Sequence, residues 1–292
     1  MKKLFALLSF SCFLFACHPQ KDQNNFADLI KGDWVGPDES KENSHNETKF
    51  ISFDDSTCRI SFGGGALKYE IEKDTFYIES PDGDPISNMA KYTIAKLTTD
   101  SLVLLPTMSW QDTFHFSKIH PKNIITPTTI YFTSPNISFE IDSSRNVRIY
   151  GELEMDTLGV MYISKGGFSG RISENEYNSI ISKIRNIQVD SLQQGYEAEW
   201  SNDQTLGVAF AHGNTATMSA AYGHHKEPIE LHLLFGKLMN VYKEMNKQPD
   251  SSVTEINPIG SNLIQMTHRV PVPPPPLPPL CPNKKFTPPA HK

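Results

Sequence analysis

The constraint that most narrows the fold lies between Lys49 and Lys118, where seven short runs follow one another with only turn chemistry between them. The runs are Lys49–Phe53, Thr57–Phe62, Ala66–Ile71, Thr75–Glu79, Lys91–Leu97, Leu102–Leu105 and Thr113–Lys118. Each is too short for an ordinary helix and rich in β-branched or aromatic residues, the pattern of strands. The joints Asp54-Asp55-Ser56, Glu72-Lys73-Asp74, Pro81-Asp82-Gly83-Asp84-Pro85 and Thr98-Thr99-Asp100 are turn sequences, which makes the neighbours antiparallel. Phe114 and Phe116 alternate with Thr113 and His115, so one face of the meander is apolar. That face leaves water only if the sheet closes into a barrel or takes a second sheet. The expectation is an all-β domain over residues 29–119. Phe50, Phe53, Phe62, Tyr69, Phe76, Tyr77 and Tyr92 read as its core, with a ligand cavity as the alternative. Asp82-Gly83-Asp84 reads as a proline-framed turn and not a calcium loop.

The opening Ile30-Lys31-Gly32-Asp33-Trp34, ahead of that meander, resembles the Leu-x-Gly-x-Trp start of the lipocalin-like domains of bacterial lipoproteins. The resemblance implies an up-and-down barrel in which Trp34 closes one end under a basic side chain of the last strand, for which Lys118 is the candidate. These two are the candidate ligand-binding residues of the barrel. Small barrels of about eight strands hold packed side chains or one small ligand, so the resemblance alone does not assign a cargo.

The first residues carry an address. Lys2 and Lys3 precede an apolar stretch, Leu4–Phe15, and Leu14-Phe15-Ala16-Cys17 matches the end of a lipoprotein signal. A dozen such residues are too few to span a bilayer. Residues 1–16 are therefore expected to be cleaved and Cys17 acylated. Residues 17–28 read as a polar tether, and the membrane is reached through Cys17. The absence of Asp after Cys17 favours the outer membrane, on its periplasmic face or at the cell surface. The full chain has a net charge of −6, and removal of the two lysines takes it to about −8. No basic stripe is present to neutralise phosphates, so nucleic acid is not an expected partner.

His120-Pro121 to Pro127-Thr128 holds two prolines without periodicity and reads as a linker over 120–128. Beyond it the pattern changes. Strands are predicted at Thr129–Thr133, Ile137–Ile141, Val147–Gly151 and Val160–Lys165. Ser173-Glu174-Asn175-Glu176 is a capping box opening a helix whose apolar face is Tyr177, Ile180, Ile181, Ile184 and Ile187. A hairpin, Leu206–Ala211 with Thr215–Ala221, turns at Gly213-Asn214, and a second helix follows Pro228. This order predicts an α+β domain over 129–247, an antiparallel sheet with two helices on one face. Residues 248–292 contain 12 prolines, including the run Pro271–Pro279, and read as a disordered tail. The nine-residue run makes a polyproline rod of roughly 28 Å, a spacer or a docking strand for an envelope partner.

Tyr150-Gly151, Gly167-Phe168, Tyr196, Asp203, Tyr222-Gly223 and Pro228 resemble the pattern of the DUF6438 family over about residues 129–245. Members commonly carry a Cys-x-Gly-x-Cys-Pro-like segment entering the first core strand. This chain reads Phe132-Thr133-Ser134-Pro135-Asn136-Ile137 there, so no redox or metal role of those cysteines carries over.

Catalytic signatures are absent: Gly167-Phe168-Ser169-Gly170 has the wrong spacing for a hydrolase elbow, and no P-loop, His-Glu-x-x-His or dinucleotide turn occurs. The chain is read as a non-enzyme without a cofactor. Three functions are left: an interaction module, a carrier of a small hydrophobic ligand in the barrel, and a metal-binding protein. The last rests on His212, His224 and His225, with His232, Glu227 and Glu230 nearby in sequence. Cys58, in a strand, reads as a small buried hydrophobe instead of a partner for Cys281.

Overall fold

The computed structural model describes residues 24–37, 49–60, 66–78, 91–106, 113–157, 160–197, 205–213, 215–222 and 226–256. Two compact units divide the chain, changing over between Ile119 and His120.

The first unit opens with a short helix, α1 (Asn24–Ile30), in the stretch expected as tether. Phe26 and Ile30 pack on the barrel core, so burial of this apolar pair holds a segment whose composition reads as polar. Eight antiparallel strands follow: β1 (Gly32–Val35), β2 (Phe50–Phe53), β3 (Thr57–Arg59), β4 (Leu67–Glu72), β5 (Thr75–Ile78), β6 (Lys91–Leu97), β7 (Ser101–Pro106) and β8 (Phe114–Lys118). They form a closed barrel. The strand missing from the sequence reading is β1, the Gly-Asp-Trp segment itself. It pairs with β2 on one side and β8 on the other, removing both free edges. Trp34, Phe53, Cys58, Phe76, Leu102 and Leu104 are buried in its core. Phe53, Tyr69 and Phe76 make mutual ring contacts with centroids 5.2 to 5.9 Å apart. These aromatics therefore act as core. Phe62 and Asp82-Gly83-Asp84 lie outside the described residues.

The second unit contains β9 (Thr129–Thr133), β10 (Ile137–Asp142), β11 (Asn146–Thr157), β12 (Val160–Arg171), α2 (Glu174–Asn186), a 3-10 turn (Val189–Ser191), β13 (Gly195–Glu197), β14 (Thr205–His212), β15 (Thr215–Tyr222), α3 (Ile229–Leu238), α4 (Val241–Glu244) and β16 (Asn246–Pro249). The sheet order is β13-β15-β14-β9-β10-β11-β12-β16. It is a mixed sheet and not a purely antiparallel one, because β13 runs parallel to β15. One face is the core, built from alternate residues such as Ile130, Phe132, Phe139, Ile149 and Phe168 with Ile180 and Ile184 of α2 and Leu234 and Leu238 of α3.

Ser173 caps α2 as its sequence requires, its Oγ accepting from the Glu176 amide at 3.1 Å. The Glu176 carboxylate accepts from Lys237 Nζ of α3 at 2.7 Å, a buried ion pair joining the two helices. Residues 120–128 are not a free linker. The Asn123 side-chain amide donates to Ile184 and Ile187 carbonyls, satisfying the C-terminal end of α2, and Arg185 donates to Thr126. The expected tail boundary at Gln248 also moves. β16 carries Gln248 and Pro249 into the sheet, and Val253 and Ile256 beyond it are buried. Apolar residues spaced among prolines suffice to hold this strap, although its composition reads as low complexity.

Candidate functional site

The long β11–β12 hairpin is kinked where Gly151 faces Gly166 across the ladder, both with positive φ, 146° and 150°. This backbone conformation is open essentially to glycine. At Gly151 a side chain is also excluded by space, since a Cβ would stand 2.2 Å from the Asn136 carbonyl oxygen. The Asn136 carbonyl accepts from the Glu152 amide at 2.9 Å, which pins the β9–β10 turn to the kink. Within the turn, Ser134 Oγ lies 3.3 Å from both the Ile137 carbonyl and its amide, and Thr133 and Ser138 share a hydroxyl contact of 2.9 Å.

Two clefts meet at this turn. One, of about 300 Å³, is lined by Pro135, Ser138, Tyr150, Lys165, Glu255 and Ile256 besides the turn itself. The other, of about 250 Å³, adds Phe132, Ile163, Met239, Asn240, Tyr242 and Lys243. Ser134, Asn136, Ile137 and Glu152 belong to both. Pro135 and Asn136 are exposed. Glu152 accepts from Lys165 at 3.2 Å, a solvent-facing pair that contributes little energy. Lys243 and Lys247 each lie 5.9 Å from the Tyr242 ring, and Lys247 donates to the Tyr242 carbonyl at 2.9 Å. Desolvation by burial pulls the Lys247 pKa down.

The strap after β16 completes the first cleft. Asp250 donates its amide to the Gly167 carbonyl at 2.8 Å, and a Cβ at Gly167 would stand 2.0 Å from the Val253 carbonyl oxygen. The missing side chain at Gly167 is what lets the strap lie on the sheet, bringing Glu255 and Ile256 to the cleft. The lining offers neutral donors and acceptors, the Glu152–Lys165 pair, the charged groups of Glu255 and Lys243, and aromatic rings. Neither histidine nor cysteine is among the described residues of either cleft. Such a surface holds a ligand by hydrogen bonds and contact area.

The sequence-derived candidates fall elsewhere. Trp34 and Lys118 are register partners on β1 and β8, with Lys118 Nζ 5.0 Å from the indole ring. That ammonium donates to the Leu29 carbonyl at 2.9 Å, and the Trp34 indole donates to the Ile30 carbonyl at 2.6 Å. Desolvation lowers the Lys118 pKa against the pull of Asp100 and Asp33. The pair thus ties α1 to the barrel end. His212 lies opposite Thr215 beside the hairpin turn, whereas Tyr222, from which the chain continues to His224 and His225, pairs with Thr205 at the far end. Seven residue steps of strand, roughly 23 Å, separate those ends. His224 and His225 themselves lie outside the described residues, as do Cys17, Cys281 and Pro271–Pro279. His232 is engaged with Glu227 at 2.8 Å, and Glu230 with Lys122 at 2.5 Å. Among the described residues no group of three or more His, Cys, Asp or Glu is placed to hold a metal ion.

Comparison with known proteins adds one match. An eight-stranded barrel followed by a mixed α+β sheet is the class of molecule defined so far. Residues 128–242 of the sheet domain match the family model of a domain of unknown function, DUF6438. No curated protein and no solved structure matches the chain. The motif residues of that family resemblance now have places. Tyr150 and Gly151 line the first cleft, Gly167 seats the strap, and Phe168 fills the core on the opposite face. Tyr196 accepts from the Gln193 amide at 3.0 Å, and Pro228 precedes α3. Asp203 and Gly223 lie outside the described residues. In the sequence the Ser134-Pro135 segment stands out only for what it lacks, and Glu152, Lys165 and Lys243 carry no local signal.

Proposed function

We propose that this chain is a lipid-anchored, non-catalytic binding protein of the cell envelope, held to the outer membrane by acylated Cys17, which recognises its partner through the β9–β10 turn of the second domain. The observation that carries the site is the meeting of two clefts on a turn whose backbone is fixed from below by the Gly151–Gly166 kink. Rigid support under exposed polar groups is what specific recognition requires, because little freedom is lost on binding. The ring contacts of Phe53, Tyr69 and Phe76 in the barrel core support this reading over a carried hydrophobic ligand.

The test compares material purified from detergent-solubilised envelopes. Asn136 is exposed, so Asn136→Trp is expected to fold normally while filling both clefts. A partner recovered in stoichiometric amount with the wild-type chain and lost with Asn136→Trp is the expected result. Equal recovery from both, with folding unchanged, refutes the site. Cys17→Ser tests the anchor separately, by moving the protein from the membrane to the soluble fraction.

A further inference from the structure

We infer that the second domain pairs with a second copy of this chain along the stretch of β12 that has no outer strand among the described residues, in an antiparallel ladder centred on Ile163. The β11–β12 ladder keeps one unbroken register from Asn146 opposite Arg171 to Thr157 opposite Val160. On its outer side β12 is paired, among the described residues, only from Phe168 to Arg171, by β16. The Gly167 carbonyl accepts from Asp250 and so points away from β11. Backbone groups on a strand alternate in direction, so the amides and carbonyls of Lys165, Ile163 and Met161 point to that same open side.

Such an edge is a template for another strand. Val160-Met161-Tyr162-Ile163-Ser164 has no charge and no proline, and Ile163 is 71% exposed. A second copy fits because the stretch complements itself. Antiparallel pairing about Ile163 places Met161 of each copy opposite Lys165 of the other, and all three outward-pointing residues of both copies then gain ladder partners. The ladder is also continuous with one this edge already makes, since β16 runs antiparallel on the next four residues. The arrangement closes after two copies, as each contributes one such edge. On the opposite side of the hairpin, the Glu152 amide points away from β12 toward Asn136, so Glu154 and Asp156 present the outward backbone there, and acidic residues oppose further strand addition.

The register gives the test its precision. Paired residues across a two-fold ladder have Cα atoms about 5.5 Å apart, within the reach of a disulfide. In the full-length chain carrying Cys281→Ser, Ile163→Cys is expected to form a covalent dimer on mild oxidation. Lys165→Cys is expected to stay monomeric, because the two Lys165 positions are about 13 Å apart in that ladder. Ile163→Pro removes an amide that points outward and makes no bond within the hairpin, so it is expected to abolish the dimer in sedimentation while leaving thermal unfolding of the monomer unchanged. A monomeric Ile163→Cys, equal linking from Lys165→Cys, or a cross-link from residue 163 to some other protein each overturns the proposal.

Discussion

Gly167→Ala isolates the contribution of the C-terminal strap. The added methyl would stand 2.0 Å from the Val253 carbonyl oxygen and 2.5 Å from that of Asp250, where ordinary contact begins at 3.4 Å. Both obstacles are backbone atoms, so no side-chain rotation relieves them, and the strap must lift. Val253 and Ile256 are nearly fully buried, and exposing two such side chains removes about 3–6 kcal/mol of apolar burial. The freed chain regains conformational entropy, which offsets much of this loss. A net destabilisation of about 1–3 kcal/mol is expected, confined to the strap and β16. Native-state hydrogen exchange reads it directly. The amides of Asp250 and Val253, bonded to the Gly167 and Asp250 carbonyls, should exchange about 10–100-fold faster, while those of β9 and β10 keep their protection. Unchanged protection at Asp250 and Val253 would refute the argument, and so would loss of protection throughout the sheet.

Three further outcomes follow from other parts of the fold. Glu176→Leu removes the carboxylate bonded to buried Lys237 and should cost about 3–5 kcal/mol in urea denaturation, whereas the double variant Glu176→Leu/Lys237→Met should cost markedly less; equal losses would show that the pair is not what joins the helices. Ser173→Ala removes the hydroxyl that caps α2 and should destabilise by about 1 kcal/mol, with Ser173→Asn close to wild type. Burial pushes the Cys58 thiol from 9.0 up to about 12, so the folded barrel keeps a proton that the unfolded chain loses. Its stabilising contribution is complete below pH 9 and falls by about 1.4 kcal/mol per pH unit above it. The difference in stability between wild type and Cys58→Val should shrink across that window, and a constant difference would contradict the burial of the thiol.

How much of this was legible in the sequence depends on the length over which each signal accumulates. Seven strands of the barrel announce themselves as short runs between turn sequences, and α2 by its cap and by Ile180, Ile181, Ile184 and Ile187, because each signal is complete within one segment. The closing strand β1 has only four residues and begins with glycine, so nothing periodic marks it; its place is set by ladders to β2 and β8. β13 and β16, of three and four residues, are hidden for the same reason. The hairpin runs twelve residues on each strand, yet Glu152, Glu154 and Asp156 break its apolar pattern and Gly166-Gly167 imitate a terminator. Long-range partners are illegible by nature. Lys237 reaches Glu176 across 61 residues, and Asn123 reaches the end of α2 across a similar span. The clefts combine residues from Phe132 to Ile256, most of them common polar types, so only the assembled sheet domain brings them together.

The most direct measurement of the central claim is photo-cross-linking in living cells from a probe placed at Asn136, compared with one at exposed Asp190 on the 3-10 turn, a residue of neither cleft. A single discrete adduct from position 136 and none from position 190 is the result expected if the turn is the recognition site. The same adducts from both positions, or none from position 136, would contradict it.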